Sequence, residues 1–348
     1  MPDGRVMSGD IPLRLRAGPG LDYAVLDVLP DGTDLMINAR TPDSTWLEIR
    51  TLDQYRAGWV YADYVAIFTE LELIPDQTMP INYSNLISGI TDESRRIYAL
   101  GQAMGNRANV FAKVGDSITV SNHMLQPIGE GQYNLAQFSH LQVVIDHFSA
   151  EAVRGGNAFT NISVAAGVGW NAAAVLQPEF ANPTQCTVGA IPLVCEYENL
   201  HPAFALIMFG TNDVGYVPAS TFRHNLERIV SISIDMGVVP VVSTIPPRLG
   251  YEDGVLEFNQ IIREIAQQYQ IPFWDYGYPM SVYMQSSLGF DGVHPSLPPL
   301  GHDDVANFKA DNLYYGYVIR NLSALYVLDA LRNEIVLADA SNQAISDS

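Results

Sequence analysis

The chain has 348 residues, of which 48% are hydrophobic and 16% are charged, and its formal net charge is −20. This hydrophobic content supports a substantial core and argues against an intrinsically disordered protein. The negative charge argues against binding to nucleic acid or to an anionic membrane, because both partners need a cationic surface.

The first ten residues, MPDGRVMSGD, do not have the charged start and apolar run of a signal peptide. We therefore expect either a cytoplasmic protein or a chain whose leader has been removed. No apolar run reaches the roughly 18 residues that span a bilayer, so we expect no transmembrane segment.

Residues 1–67 alternate apolar and polar side chains with a period of two, as in LRLRAGPGLDYAVLDVLPDGTDLMI, TWLEIRT and AGWVYADYV. Turns such as AGPG and PDG separate these short segments, and the pattern predicts a small all-β barrel. The same segments resemble a bacterial SH3-like domain over residues 4–67, and we assign residues 1–67 to such a domain.

The SH3 resemblance implies a module without catalytic residues, of a kind that often attaches an enzyme to the cell wall or to a polysaccharide. Its aromatic residues Trp46, Trp59, Tyr61 and Tyr64 could form a binding face. They could equally fill the interior of a barrel that has little other core. The sequence leaves both interpretations open.

The rest of the chain has a different texture. Residues 68–92 contain two prolines and no sustained periodicity, and we predict a linker there. From residue 93 to 335, helical patterns alternate with the apolar runs NVFAKV, FTNISVAA, AFALIMF, VVPVVSTI and IPFWDY. This alternation predicts a three-layer α/β domain, in which helices cover both faces of a parallel sheet. Residues 336–348 are predicted to form a frayed C-terminal tail.

The two cysteines, Cys186 and Cys195, lie nine residues apart in the segment CTVGAIPLVC. The short loop between them and the absence of any competing cysteine favour a disulfide, and two free thiols are the alternative. An extracellular location follows from this pair only if the bond forms.

Functional residues in open parallel sheets gather beyond the carboxyl ends of the strands. Small and polar residues follow several of the predicted strands and occupy the last loop. They are Gly115, Asp116 and Ser117 after the first strand, Gly167 and Gly169 after the second, Asn212 in GTND after the third, and Asp291 with His294 in DGVHPS.

These residue types suit acyl transfer to a serine. Ser117 becomes a nucleophile when a base takes its proton, and a histidine, with an ordinary pKa of about 6.5, is largely neutral at pH 7. His294 is therefore the candidate base, and Asp291 would fix its tautomer and stabilise the imidazolium. An oxyanion needs donors that already point at it. The candidates are the backbone N–H of Ser117, the backbone N–H of Gly169 and the side-chain amide of Asn212.

This combination resembles the SGNH, or GDSL-type, hydrolase family, whose markers are Gly-Asp-Ser, a later glycine, Gly-x-Asn-Asp and Asp-x-x-His. The resemblance covers the second domain and implies a flavodoxin-like fold that needs no cofactor or metal. It also implies a set of site residues: the catalytic Ser117, Asp291 and His294, and an oxyanion hole of Ser117, Gly169 and Asn212. Gly167 remains an alternative to Gly169. The G-x-S-x-G pattern of α/β-hydrolases is not met, because position 119 is threonine.

We expect a serine ester hydrolase that cleaves acyl esters, such as acetyl groups on a polysaccharide, and that the SH3-like domain directs to the cell wall or polysaccharide. The alternatives are an acyltransferase that uses the same serine and a wall-binding protein without catalysis. We expect a location outside the cell or at its surface, with the cytoplasm left open. The segment GYPMSVYMQSSLGF either lines an acyl pocket or caps a core with its large residues Tyr278, Met280, Tyr283, Met284 and Phe290. His302 is the rival base, but it has no carboxylate three residues earlier.

Overall fold

The computed structural model describes residues 2–340, except for 17, 22, 24, 42, 43, 53–55, 71–73 and 75–80. Part of the predicted linker and residues 341–348 of the predicted tail therefore lie outside the described residues. The chain forms two compact units, one of residues 1–82 with 278–285 and the other of residues 83–277 with 286–348. The expected domain boundaries after residues 67 and 92 stay predictions.

The first unit contains an antiparallel sheet. Its strands in the described residues are β1 (Gly4–Val6), β2 (Leu13–Arg16), β3 (Val25–Leu29), β4 (Asp34–Arg40), β5 (Trp46–Thr51), β6 (Ala57–Tyr61) and β7 (Val65–Ile67). They are ordered β3-β2-β6-β5-β4-β1-β7. Alternate residues of β4, among them Leu35 and Ile37, point into the core, as a period of two requires. The prediction of an all-β N-terminal region is confirmed.

The aromatic residues of this unit divide between core and surface. Trp59 is fully buried and Trp46 is nearly so, with the ring of Trp46 packed edge-on against Tyr61 at a centroid distance of 5.5 Å. Tyr64 is 48% exposed. The two tryptophans therefore fill the interior. Of the four aromatic residues proposed as a binding face, Tyr64 is the most exposed to solvent.

Residues 278–285 pack within the first unit. The hydroxyl of Tyr278 donates a hydrogen bond to the carboxylate of Glu48, and the guanidinium of Arg50 lies 4.4 Å from the centroid of the Tyr278 ring. Burial, with the nearby Glu48 carboxylate, raises the pKa of Tyr278 well above its ordinary value. Met280 and Tyr283 are also buried. Of the two interpretations of this segment, the structure favours packing over an acyl pocket for these three residues.

The second unit is built around a five-stranded sheet. Its strands are β8 (Ile87–Ser88), β9 (Arg107–Gly115), β10 (Pro202–Met208), β11 (Val239–Ser243) and β12 (Phe273–Trp274), in the order β8-β12-β11-β10-β9. The pairs from β9 to β12 are parallel, as predicted, and β8 joins the edge in the antiparallel direction. All of β10 is buried, because helices cover both faces of the sheet.

The α-helices in the described part of the chain are α1 (Asp92–Met104), α2 (Ser117–Val120), α3 (Gln126–Gly129), α4 (Gln142–Ser149), α5 (Pro192–Leu200), α6 (Ala219–Asp235), α7 (Glu252–Tyr269), α8 (Gly277–Val282), α9 (Met284–Ser287) and α10 (Gly316–Leu331). Two sets of helices contact the sheet or each other, which completes the predicted three layers. The first set is α1, α4 and α10, and the second is α5, α6 and α7. In α7, residues such as Val255, Phe258, Ile262 and Ile265 are buried at helical spacing. In the described part of the chain, no helix is both long and apolar enough to cross a membrane.

The predicted second strand, FTNISVAA at residues 159–166, is wrong. Only one bridge forms there, between Ala166 and Gly115, and the rest of the segment is irregular. Side chains bind its backbone instead: Lys113 Nζ donates to the carbonyl of Phe159 at 2.8 Å, and Glu196 accepts the N–H of Val164 at 2.9 Å. An apolar run predicts burial, but it does not specify which groups will satisfy the backbone.

Candidate active site

The nucleophile turn, residues 115–117, begins at Gly115, the last residue of β9. The carboxylate of Asp116 caps α2 by accepting the N–H of Ile118 at 3.0 Å, so that Ser117 is the first residue of this short helix. A Cβ at Gly115 would lie 2.5 Å from the carbonyl oxygen of Met208 and 2.4 Å from Oγ1 of Thr119. Only glycine fits between the neighbouring strand and the start of α2, which is why the turn can be this tight.

Ser117, His294 and Asp291 form a chain of hydrogen bonds. Oγ of Ser117 lies 2.9 Å from Nε2 of His294, and Nδ1 of the same ring lies 2.6 Å from Oδ2 of Asp291. These distances are within hydrogen-bond reach for a nucleophile, a base and a group that orients the base. The structure thus brings together the three residues that the sequence analysis selected.

The loop that contains Asp291 and His294 folds around the aspartate. Oδ1 of Asp291 accepts the N–H groups of Val293 at 3.0 Å and of His294 at 2.9 Å. Partial burial would raise the pKa of Asp291, but the hydrogen bonds from the His294 ring and from these two backbone groups outweigh it and lower the pKa. The side chains of Asp291 and His294 are 53% and 42% exposed, so solvent reaches this half of the site.

The rival base has another partner. Nδ1 of His302 lies 3.0 Å from Nδ1 of His123, and the His123 ring packs against Tyr317. His294 is therefore the histidine that contacts Ser117. Within the described residues, no group of three or more His, Cys, Asp or Glu side chains is arranged to hold a metal ion.

The two candidate glycines differ in their backbone. The N–H of Gly167 donates to the carbonyl of Gly115 at 3.2 Å, so it already has an acceptor. The carbonyl of Gly167 accepts the N–H of Trp170 at 3.2 Å, which closes a turn with Gly169 at φ +74°. This is the turn position that needs a positive φ and hence glycine. Among the hydrogen bonds of the described residues, none uses the N–H of Gly169 as a donor.

The GTND turn binds the residues that follow Gly169. Nδ2 of Asn212 donates to the carbonyl of Trp170 at 3.0 Å, which leaves its second N–H for another acceptor. Both carboxylate oxygens of Asp213 lie 3.1 Å from the N–H of Ala172. Burial raises the pKa of Asp213 to about 7 despite this bond. The segment around Gly169 is therefore fastened to the end of β10.

A buried set of charges fastens the same segment at its start. The carboxylate of Glu196 is fully buried and binds the Arg154 guanidinium at 3.0 Å and the Asn161 side chain at 2.9 Å. Lys113 is also buried, and burial lowers its pKa to about 8. No sequence motif singled out these residues. Their signal was a lysine inside the apolar run VFAKV and a glutamate in a helix that faces the sheet.

A buried arginine beneath the nucleophile turn was missed as well. The Arg320 side chain in α10 is almost fully buried, and its Nη2 donates to Oγ1 of Thr119 at 3.3 Å. Its guanidinium lies 5.0 Å and 4.8 Å from the ring centroids of Trp274 and Tyr276. Burial raises the pKa of Asp116, and the positive charge of Arg320 opposes that rise.

The sequence matches two family models. Residues 114–298, more than half of the chain, match the GDSL-like lipase/acylhydrolase family, and residues 12–66 match the bacterial SH3 domain. The chain therefore belongs to the GDSL-like lipase/acylhydrolase family, and its enzyme class is that of the carboxylic ester hydrolases. No curated protein matches the sequence.

Several solved structures are similar in part. A lipase/acylhydrolase from Enterococcus faecalis is 18% identical, with 64% of this chain and 95% of that chain covered and a TM-score of 0.41. The acetylxylan esterase Axe2 from Geobacillus stearothermophilus is 16% identical, with coverage of 64% and 95% and a TM-score of 0.40. The esterase EstA from Pseudoalteromonas sp. is 14% identical, with coverage of 65% and 97% and a TM-score of 0.39.

Proposed function

We propose that this protein hydrolyses acyl esters through an acyl-enzyme intermediate on Ser117, with His294 as general base and acid and Asp291 as its orienting partner. The observation that supports this most directly is the continuous chain from Ser117 Oγ through the His294 ring to the Asp291 carboxylate, at 2.9 Å and 2.6 Å. The lowered pKa of Asp291 keeps this carboxylate ionised at neutral pH, which favours the imidazolium that forms during the reaction.

In the proposed first step, Ser117 Oγ attacks the ester carbonyl carbon while its proton moves to Nε2 of His294. The resulting oxyanion accepts hydrogen bonds from the backbone N–H groups of Ser117 and Gly169 and from the second amide N–H of Asn212. The bond between the carbonyl carbon and the alcohol oxygen then breaks, and the alcohol leaves with the proton from His294. Ser117 is left acylated.

In the second step, His294 takes a proton from water, whose oxygen attacks the acyl carbon. The second tetrahedral intermediate uses the same donors, and it collapses to a carboxylic acid while Ser117 recovers its proton from His294. The 42% exposure of the His294 side chain is compatible with water reaching this base.

The test is hydrolysis of p-nitrophenyl acetate by the wild type and by Ser117→Ala. We expect turnover by the wild type and a rate near background for the variant. A wild type no faster than the variant would contradict the proposal and leave a protein without catalysis. Adding a polyol acceptor tests the transferase alternative, since acylated polyol in place of free acid would show transfer.

We further propose that the bacterial SH3 domain directs the enzyme to cell wall or polysaccharide, outside the cell or at its surface. The disulfide between Cys186 and Cys195 supports such a location, because disulfides persist in oxidising compartments. Tyr64, a 48% exposed aromatic side chain of this domain, is the proposed contact. Tyr64→Ala should lower the fraction of full-length protein retained on insoluble wall or polysaccharide, whereas Val25→Ala, an exposed residue on β3, should not. Equal retention of both variants would remove Tyr64 from the contact.

A further inference from the structure

Three side chains at the edge of the sheet form a cluster that the proposed reaction does not use. This rim cluster consists of Tyr216, Arg248 and Tyr251. The guanidinium of Arg248 lies 4.7 Å from the ring centroid of Tyr251 and 5.4 Å from that of Tyr216. The hydroxyl of Tyr251 donates to the hydroxyl of Tyr216 at 3.4 Å. The Tyr251 ring also lies directly on Gly215, where an added Cβ would be 1.9 Å from a ring carbon.

The rim cluster lies between the two loops that provide site residues. Nη1 of Arg248 donates to the carbonyl of Thr211, the residue before Asn212. The N–H of Leu249 donates to the carbonyl of Gly292 at 2.9 Å, and Gly292 directly follows the aspartate of the hydrogen-bonded chain. The loop that contains Arg248 is therefore tied at one end to the oxyanion side of the site and at the other to the His294 side.

One ring of the cluster is held in place yet faces solvent. Tyr216 is 68% exposed, although the Arg248 guanidinium lies over its ring and its hydroxyl accepts a hydrogen bond from the hydroxyl of Tyr251. Within the described residues, the Arg248 guanidinium contacts a backbone carbonyl and two rings instead of a carboxylate, in a chain of net charge −20. A fixed, exposed aromatic face beside phenolic and guanidinium donors is a preorganised binding surface.

The chemistry of this surface favours a sugar over a long acyl chain. A pyranose ring has C–H groups that pack on an aromatic face and hydroxyls that accept hydrogen bonds from phenol and guanidinium groups at its edge. An acyl chain would cover these same polar groups without giving them a partner, which costs free energy. We infer that the rim cluster is a subsite for the sugar ring of an acylated carbohydrate, with Tyr216 as its stacking platform. This inference rests on the proposed ester hydrolysis at Ser117.

The test compares kcat/KM for an acetylated xylo-oligosaccharide with kcat/KM for p-nitrophenyl acetate in full-length protein. Tyr216→Ala should lower the ratio of the two values by roughly tenfold, mostly through KM for the sugar ester, as expected for loss of an aromatic contact to the ligand. Tyr216→Phe keeps the ring but loses the hydroxyl, and should lower the ratio by less than Tyr216→Ala does. Val188→Ala, which truncates a fully exposed side chain in the disulfide loop, is the control for both substrates.

The outcomes separate the inference from the proposed function. If the wild type shows no Ser117-dependent hydrolysis of p-nitrophenyl acetate, the proposed function itself fails. If that hydrolysis is present and Tyr216→Ala leaves the ratio as in the wild type, the sugar subsite is wrong. Tyr216→Ala could instead leave the ratio for the sugar ester unchanged and lower kcat/KM for p-nitrophenyl octanoate relative to p-nitrophenyl acetate. That result would assign the Tyr216 ring to an acyl chain and would also overturn the inference.

Discussion

The nucleophile turn and the segment around Gly169 face the same site, but they are held in different ways. Residues 115–117 continue a nine-residue strand, β9, that pairs with β10 along its length. Residues 159–172 have a single bridge to β9. Buried Lys113 and Glu196 bind the start of this segment, and Asn212 and Asp213 bind its end.

This difference shows that two halves of one proposed active site can be held in place by different kinds of interaction. A strand ladder distributes its hydrogen bonds over many residues, so one substitution removes a small part of the support. The segment around Gly169 depends on a few buried charged and amide groups. Because each of them is desolvated, removing one leaves a buried partner unsatisfied and costs about 1–3 kcal/mol or more for a charged group.

The largest effect is expected from a substitution in the solvent-accessible loop that contains Asp291 and His294. Asp291→Asn removes the carboxylate that holds the His294 ring and stabilises its protonated form. We expect kcat to fall by about 10⁴, as for loss of the equivalent group in other triads. Steady-state kinetics of the wild type and the variant measure this fall. An unchanged kcat would show that Ser117 and His294 act as a dyad.

A second test concerns the charge at the end of the Gly169 segment. Burial raises the pKa of Asp213 to about 7, so the folded protein keeps a proton that the unfolded chain, with aspartates near about 3.9, has already released. The free energy of unfolding should therefore fall as pH rises from about 4 to about 7, by up to about 4 kcal/mol from this group.

Asp213→Asn cannot titrate, and its stability should change less over that pH window than that of the wild type. Urea unfolding at several pH values measures the difference in slope. The pKa of Asp116 is raised as well, and the charge of Asp116 contributes to the raised pKa of Asp213, so the difference in slope reports Asp213 together with its coupling to Asp116. Equal slopes for wild type and variant would show that Asp213 does not hold a proton in the folded state.

The next effect tests the proposed oxyanion donor. Asn212→Ala removes an amide that also fastens the Trp170 carbonyl. We expect kcat to fall by roughly 10²–10³, about 2.7–4 kcal/mol, with a folded protein by circular dichroism. A rise in KM with kcat maintained would mean that Asn212 binds the ground state and would reject the oxyanion role.

The smallest effects, on stability, are expected from a matched pair of glycine substitutions. One lies in the nucleophile turn and the other in the segment around Gly169. Gly115→Ala would press a methyl group against the Met208 carbonyl, and such overpacking costs typically about 1–3 kcal/mol. At Gly169 the space is open, but φ is +74°, and an L-residue there costs about 1–2 kcal/mol. Thermal unfolding should show the larger loss for Gly115→Ala. The reverse order would mean that the Gly169 turn is the more rigid half.

The sequence by itself determined the parts of this protein that depend on periodicity and on glycine-containing motifs. A period of two located the all-β N-terminal region, and the apolar runs at residues 109–114, 203–209 and 238–245 located β9, β10 and β11. The motifs selected Ser117, Asp291 and His294, which the structure brings within hydrogen-bond distance. These inferences succeed because they rest on local backbone preference and on burial, which residue types report directly.

Only the tertiary structure decided which groups satisfy one another. The run FTNISVAA is mostly buried, as predicted, but apart from one bridge to β9 it forms no strand. Lys113 and Glu196 bind part of its backbone, because hydrogen-bond partners come from segments distant in sequence. The same reason applies to Gly167, whose N–H is taken by Gly115, and to Tyr278, whose hydroxyl binds Glu48 at a separation of 230 residues. Apolar and aromatic residues indicate that a position is buried. Which atoms contact it depends on the packing of distant segments, which no local sequence pattern specifies.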